Sequence, residues 1–227
     1  MKETCLTADV LFDAAHSRLG PALSGLRYPW EILPDLKARI AAAGKTLPKT
    51  DYEEIAPNVW VAKSAKIAPS ASITGPTIIG PETEVRHGAY IRGSALVGAG
   101  CVVGNSCELK NCILFDEAKV PHYNYVGDSI LGFGAHLGAG AVTSNVKSDK
   151  TNVTVRWTDG AVATGLRKFG ALVGDGVEVG CNCVLCPGSV IGRGSIVYPL
   201  TRVRGVIDAG VICKSMDEIV VRREREA

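Results

Sequence analysis

The feature that most constrains this chain is an aliphatic residue that returns at every sixth position. A period of six fits neither a helix of 3.6 residues per turn nor the alternation of a single strand. A small or β-branched residue follows most of these positions by four, so the period is marked twice. The aliphatic positions are Ile55, Val61, Ile67, Ile73, Ile79, Val85, Ile91, Val97, Val103 and Leu109. The second set is Ala65, Ala71, Thr83, Ala89, Ala95, Cys101 and Cys107.

The same period returns towards the end of the sequence, and it predicts a solenoid. Its positions there are Val173, Val179, Leu185, Ile191, Val197 and Val203, with Leu131 and Leu137 between the two runs. A short strand and a tight turn account for six residues, and three such units close a triangular coil whose aliphatic residues stack inside. Aromatic residues make up only 6% of the chain and glycine contributes 26 residues, which favours thin, regular layers.

The residues that do not follow the period predict an N-terminal helical segment and two interruptions of the solenoid. We predict a helical N-terminal cap over residues 1–52, with one short helix from Leu6 to Gly20 and another ending at Gly44. Residues 53–227 are predicted to form the solenoid. The period fails near 112–126 and 145–170, where we expect loop insertions. Insertions lie on the outside of solenoids, so they are the expected place for binding residues.

Charge and composition exclude several classes of function. The net charge of +2 and the lack of a basic run with interleaved aromatics argue against nucleic acid as a partner. The N-terminus does not resemble a signal peptide, and no apolar stretch approaches a membrane span, so we expect a cytoplasmic protein without a membrane partner. The eight cysteines are expected to be thiols.

His122 is the candidate catalytic base among the four histidines. It stands in the first interruption among polar and aromatic residues, and imidazole suits proton transfer near neutral pH. Three motifs surround it: Lys119-x-x-His122-x-x-Tyr125-x-Gly127-Asp128, the set Arg92, Glu108 and Lys110, and Gly138-Ala139-Gly140-Ala141-Val142-Thr143-Ser144-Asn145.

These motifs resemble the hexapeptide-repeat acyltransferases, in particular the acetyltransferase half of the bifunctional bacterial enzyme that acetylates glucosamine-1-phosphate and then uridylylates the product. The resemblance covers residues 92 to about 195. It implies an all-β solenoid that is a left-handed parallel β-helix, acetyl-CoA as co-substrate and no metal. It also implies a homotrimer with the active site between subunits, and an amino-sugar phosphate as the substrate.

The resemblance also implies roles for individual residues. The catalytic set is His122 as general base with Glu108 and Asn145. The substrate-binding set is Arg92, Lys110, Lys119, Tyr125, His136, Arg167 and Lys168. The set expected to contact coenzyme A is Ala139, Gly140 and Cys181. A guanidinium fork and an ammonium group are both suited to a phosphate dianion.

Some positions depart from that family. His136 stands where the family usually has Asn, and Cys181 stands where it often has Ser. Either Lys147 or Lys150 could supply the phosphate-binding Lys that follows Asn145 in the family. The sugar contacts therefore need not match those of the family.

Other interpretations stay open from the sequence alone. A right-handed parallel β-helix is the alternative fold. The alternative functions are a non-catalytic solenoid that binds a sugar nucleotide and a metalloenzyme similar to γ-class carbonic anhydrase, which would need three His ligands. His87 and His122 lie 35 residues apart, about two coils. A zinc site at Cys181, Cys183 and Cys186 is a further possibility, but it lacks an obvious fourth ligand.

Overall fold

The computed structural model describes residues 6–222, which form a β-solenoid of about nine turns preceded by short helices. The solenoid predicted from the period is therefore confirmed. The helices are α1 (Ala8–Leu11), a 3-10 helix (Ala14–His16), α2 (Gly20–Ser24), a second 3-10 helix (Pro29–Asp35) and α3 (Leu36–Lys45). None of the helices in this part of the chain is long and apolar enough to cross a membrane.

The strands are short and begin directly after the helices. In chain order they are β1 (Tyr52–Ala56), β2 (Val59–Ala62), β3 (Lys66–Ile67), β4 (Ser72–Ile73), β5 (Thr77–Ile79), β6 (Glu84–Val85), β7 (Tyr90–Ile91), β8 (Ala95–Val97), β9 (Val102–Asn105), β10 (Glu108–Leu114), β11 (Lys119–His122), β12 (Tyr125–Leu131), β13 (His136–Leu137), β14 (Val142–Thr143), β15 (Thr154–Trp157), β16 (Gly160–Ala163), β17 (Ala171–Val173), β18 (Glu178–Val179), β19 (Val184–Leu185), β20 (Ser189–Ile191), β21 (Ile196–Val197), β22 (Arg202–Val203), β23 (Val206–Ile207), β24 (Val211–Ser215) and β25 (Glu218–Val221).

Parallel pairing between successive turns divides these strands into three faces. The first face contains β2, β5, β8, the ends of β10 and β12, β17, β20 and β23. The second face contains β4, β7, the beginnings of β10 and β12, β14, β19 and β22. The third face contains β3, β6, β9, β11, β13, β18, β21 and β24. Antiparallel hairpins, β1 with β2 and β24 with β25, stand at the two ends.

The spacing between turns explains why one predicted insertion is wrong. Paired residues lie eighteen positions apart between β5 and β8, but seventeen apart between β8 and β10 and between β10 and β12. Residues 112–126 form no external loop, because they supply the end of β10, all of β11 and the start of β12. These two turns are each one residue shorter than the others before them, which shifts the six-residue period without interrupting the stack of strands.

Residues 145–170 do leave the solenoid between β14 and β17. They contain the antiparallel pair β15 and β16, and the stack continues across them, because β12 pairs directly with β17. Val153, Val155 and Phe169 are buried against the same apolar cluster as the first face. The insertion therefore folds back onto the solenoid, close to Gly188 and Gly205 in its later turns.

The inward-facing aliphatic residues form a continuous column inside the coil. From Ile79 to Val203 the periodic residues are buried in one cluster. Ile55 is the exception, since it is 51% exposed in β1, which pairs antiparallel outside the coil. The first position assigned to the period is therefore wrong, and the column begins at Val61.

The helical segment lies along the first face, so the expected cap over the end of the solenoid is wrong. Its apolar side chains share one cluster with the outward-facing row Trp60, Ile78, Leu96, Ile113, Ile130, Leu172 and Val190. The rings of Phe12 and Phe115 are 5.2 Å apart, and those of Trp30 and Phe169 are 5.5 Å apart. The first face is apolar on both sides, so it needs this cover to keep its outer row from water.

Two glycines at which the sequence predicted helices to end are instead positions where the backbone packs closely against a neighbour. Gly20 begins α2, and a Cβ there would come within 1.9 Å of the carbonyl oxygen of Ala14. Gly44 lies inside α3, and a Cβ there would come within 2.1 Å of the Trp60 ring. Pro34 precedes α3, which begins at Leu36, in keeping with the restriction expected from a proline.

The lateral packing predicts the effect of a substitution in a middle turn. Ile113 is fully buried between the first face and the helical segment. We expect Ile113→Ala to lower the free energy of unfolding by about 2–5 kcal/mol, because it leaves a cavity. Hydrogen–deuterium exchange should also accelerate in residues 30–45. Denaturation followed by circular dichroism measures the first effect.

Ile55→Ala is the matched control, because Ile55 is exposed. It should change the free energy of unfolding by less than about 0.5 kcal/mol. If Ile113→Ala left exchange in residues 30–45 unchanged, the helical segment would not depend on the first face.

Candidate active site

The corner between the third and second faces carries His122 together with the residues expected to contact coenzyme A. The Gly140 N–H donates to the His122 carbonyl over 3.0 Å, and the Asn182 N–H donates to the Ala139 carbonyl over 2.8 Å. These bonds place the residues in consecutive turns of one column, here called the corner ladder. Its members are His87, Asn105, His122, Ala139 and Cys181.

The side chain of His122 is exposed at the end of β11. Tyr123 follows with a left-handed φ of 52° and a side chain that is 65% exposed. The main-chain bend at this corner therefore keeps the imidazole outside the aliphatic column, where a substrate can reach it.

The second face, next to this corner, carries a charged and aromatic cluster. Glu108 lies opposite Tyr125 in the neighbouring strand, so their side chains share the outer surface. The Arg92 Nη1 lies 2.7 Å from the Glu108 Oε1, in an ion pair that is partly exposed. That hydrogen bond and the Glu108 charge raise the pKa of Arg92.

A buried carboxylate organises the far edge of the second face. Asp128 is 3% exposed, and its oxygens accept from the Asn111 Nδ2 at 2.8 Å and from the Lys110 Nζ at 3.2 Å. They also accept a short bond from the Asn145 Nδ2, which in turn lies 3.2 Å from the Tyr125 hydroxyl. Because a buried charge is costly without partners, this network fixes all four neighbours.

The network also acts on the Tyr125 phenol. Burial raises its pKa most, and the negative charges of Asp128 and Glu108 raise it further. The hydroxyl therefore stays protonated at neutral pH, so it can donate a hydrogen bond to an anion.

The two cations expected to bind phosphate are each paired with a carboxylate in the chain itself. Arg92 is paired with Glu108, and Lys110 is paired with Asp128. A phosphate dianion that binds here must share these cations with the carboxylates. The arrangement also positions the cations, since each is held by a fixed partner.

Two residues assigned to substrate binding lie on a different face. Lys119 and His136 are neighbours on the third face, where the His136 Nδ1 lies 2.7 Å from the Glu178 Oε2. One chain therefore does not bring them to Arg92 and Tyr125 on the second face. Their substrate-binding role remains a prediction that depends on a second copy.

Four basic residues that the sequence assigned to phosphate or substrate binding lie in the 145–170 insertion. Arg167 and Lys168 are exposed in the segment between β16 and β17. Lys147 is paired with Asp149 at 3.2 Å, whereas Lys150 is exposed with a left-handed φ of 58°. The charge of Lys147 is thus already engaged. Both lysines remain candidates for the phosphate-binding position after Asn145, since Arg92 and Lys110 are paired in the same way.

The side chains needed for the metal-site alternatives point in different directions. His87 and His122 share the corner ladder, but His136 is on the third face. Cys183 is buried, with its Sγ 3.0 Å from the Tyr198 carbonyl, whereas Cys181 is exposed. Within residues 6–222, no three His, Cys, Asp or Glu side chains form a group that could hold a metal ion.

The sequence assigned no supporting role to three polar residues of the site, although the motif around His122 includes Asp128. Asn111 and Asp128 both have a left-handed φ of 50° at the corner between the second and first faces. Asn124 is 2% exposed at the corner that carries His122. Asn and Asp tolerate the left-handed region better than most residues, which was the available signal for the first two. Nothing in the period distinguished Asn124 from a loop residue.

Comparison with known proteins agrees with the resemblance to hexapeptide-repeat acyltransferases. A family model described as the GMPPB C-terminal domain matches residues 73–164. Bifunctional protein GlmU from Methanococcus maripaludis strain C5 is 33% identical over 118 residues, which are 52% of this chain and 28% of that protein. The bifunctional sugar-1-phosphate nucleotidylyltransferase/acetyltransferase of Sulfurisphaera tokodaii is 35% identical over 92 residues, 40% of this chain and 23% of that protein. The chain thus spans less than a third of the length of these two relatives.

Solved structures show likeness at lower identity. A putative acetyltransferase from Bacillus cereus covers 73% of this chain with 20% identity and a TM-score of 0.41, and the match covers 78% of that protein. The period of six, the stacked parallel strands, the family-model match and the curated relatives agree that this chain is built of hexapeptide repeats and that about half of it is similar to bifunctional GlmU proteins.

Proposed function

We propose that the chain is an N-acetyltransferase that moves the acetyl group of acetyl-CoA to the amine of an amino-sugar phosphate, with glucosamine-1-phosphate as the first candidate. One observation carries the proposal: the exposed His122 shares a ladder with Ala139 and lies beside the second face with its cations. The names of the relatives include acetyltransferase and sugar-1-phosphate chemistry, which supports this assignment.

The transfer requires a base and a donor for the oxyanion. The neutral amine attacks the thioester carbonyl while His122 takes one proton from the nitrogen, and the C–S bond then breaks to release the thiolate of coenzyme A, which receives that proton from His122. The Gly140 N–H already donates to the His122 carbonyl. Ala139 is therefore the better of the two candidates for stabilising the oxyanion through its N–H.

The second face supplies the proposed sugar-phosphate site. Arg92 and Lys110 attract the phosphate, and the protonated Tyr125 hydroxyl donates to it. Glu108 accepts from the ammonium or a hydroxyl group of the sugar. Asn145 contributes by holding Tyr125 and Asp128.

A homotrimer would complete this site between copies. The first face is covered by the helical segment, which leaves the second and third faces for contact. If the third face of one copy lies beside the second face of the next, Lys119 and His136 can reach the substrate. Arg167, Lys168 and Cys181 are exposed and available to bind the phosphates or the arm of coenzyme A.

Replacing the base is the first test. We expect His122→Ala to lower kcat about 10²- to 10⁴-fold, because the amine loses its proton acceptor. Thiol release from acetyl-CoA with glucosamine-1-phosphate measures transfer, while circular dichroism checks the fold. His87→Ala, two turns away on the corner ladder, should keep wild-type activity. Full activity in His122→Ala would remove it from the mechanism.

The same assay separates the enzyme from the alternative of a binding solenoid. Absence of thiol release by the wild-type chain with any amino-sugar phosphate would contradict the proposed function. Binding of a sugar nucleotide without turnover would then favour the non-catalytic interpretation.

A second test addresses the phosphate. Arg92→Ala should raise the KM for the sugar phosphate about 10- to 100-fold, the equivalent of one charged hydrogen bond. The KM for acetyl-CoA should not change. Arg86→Ala is a matched control, because Arg86 forms a similar ion pair with Glu84. An unchanged KM in Arg92→Ala would exclude the phosphate role.

A third test addresses Tyr125. We expect Asp128→Asn to lower the pKa of the phenol, since it removes one charge that opposes ionisation. The pKa should nevertheless stay above the ordinary value of about 10, because burial is the larger cause. Titration of ¹³C-labelled tyrosine by NMR measures it. Glu178→Gln on the third face should leave the pKa unchanged, and an equal shift in both variants would argue against this contact.

A further inference from the structure

One inside position of the repeat changes character next to His122. This position follows the corner ladder by two residues and faces the core. Its occupants in successive turns are Ala71, Ala89, Cys107, Asn124, Ala141, Cys183 and Thr201. Asn124 is the one amide among them, and it is 2% exposed. A buried amide is unfavourable unless its hydrogen bonds are satisfied, so its partners explain why it can stand there.

The partners of Asn124 lie on both sides of the site. Its Nδ2 donates to the Gly138 carbonyl at 2.8 Å and to the Ala141 carbonyl at 3.0 Å. Its Oδ1 accepts from the His122 N–H at 3.1 Å and from the Cys107 thiol at 3.6 Å. The amide therefore links two successive turns at this corner, the turn that carries His122 and the turn that carries Ala139 and Gly140.

Pro121 shows why such a link is needed at this turn. At the equivalent position in other turns the backbone N–H bonds to a neighbouring turn, as from Arg86 to Val103 at 2.8 Å and from Gly138 to Val179 at 2.7 Å. Proline has no N–H, so this rung cannot form beside His122. The side chain of Asn124 makes bonds to the next turn in place of the absent rung.

We infer that Asn124 is a positioning residue, which holds the main chain of His122 and that of Ala139 at a fixed separation. The inference rests on the proposed function, in which His122 is the base and Ala139 the oxyanion donor. Catalysis depends on both groups meeting the same carbonyl, and a displacement of about 1 Å can cost about 100-fold in rate.

Asn124→Ala is a suitable test, because Ala89 and Ala141 show that the repeat accepts alanine at this position. We expect kcat to fall about 10- to 100-fold. The KM for the sugar phosphate should stay within about twofold, since Arg92 and Lys110 are untouched. The kcat of Asn124→Ser, which can restore only part of the hydrogen bonding, should lie between that of the wild-type chain and that of Asn124→Ala.

Amide exchange gives a readout that does not depend on turnover. In Asn124→Ala the amide hydrogens of His122 and Gly140 should exchange faster, since the first loses its acceptor and the second lies in the released corner. Thr201→Ala is the matched control. It removes a buried polar group from the same position three turns away, where Thr201 donates to the Lys214 carbonyl at 3.2 Å. It should leave exchange at His122 and kcat unchanged.

Several outcomes would overturn the inference. A folded Asn124→Ala chain with wild-type kcat would do so, as would unchanged exchange at His122 and Gly140, or an equal loss of kcat in Thr201→Ala. A wild-type chain without transferase activity would contradict the proposed function. Faster exchange in Asn124→Ala would then show a structural link with no positioning role in catalysis.

Discussion

The backbone hydrogen bonds between successive turns determine the rest of this structure. Inside the stack, strands pair in parallel with the strands one turn before and after them, at the usual spacing of about 4.8 Å. A side chain is therefore located by its column and its turn, not by its distance along the sequence. His122 and Cys181 are 59 residues apart, yet only two turns separate them, because the 145–170 insertion leaves the stack between them.

The shortened turns are where the polar network of the candidate site forms. A step of five residues from Leu109 to Leu114 removes one residue at the corner between the second and first faces. Asn111 and Asp128 occupy this corner in left-handed conformations, and their side chains meet. The loss of one residue keeps the aliphatic column intact, because the next strand still enters the stack in register. The polar network thus forms on the outside without disturbing the core.

The sequence predicted the features that depend on a local residue pattern. It did not predict which surface of the chain each element packs against. The period identified the column from Val61 to Val203, since burial at regular spacing leaves a signal in the residues themselves. It assigned Ile55 wrongly, because an aliphatic residue in an antiparallel edge strand has the same local pattern. The helices were expected, but their place along the first face was not. An apolar helix face indicates that the helix is buried, but it does not identify the surface against which it packs. Nothing in the local sequence around Trp60 and Ile113 indicated that the helical segment covers both of them.

The grouping of the candidate site residues on one face was predicted in part for the same reason. Motif spacing selected Arg92, Glu108 and Tyr125, which the stack brings to one face. The resemblance grouped Lys119 and His136 with them, although both lie on the third face of this chain. Asp128 acquires its importance only when donors from both neighbouring turns converge on it, Lys110 and Asn111 from one and Asn145 from the other. A regular solenoid repeats the same surface position in every turn. The turns of the candidate site are distinguished from the others by buried polar groups that need hydrogen-bond partners. Such groups make the site rigid and specific at a cost in solvation that hydrogen bonds must offset, and only the folded stack supplies those bonds.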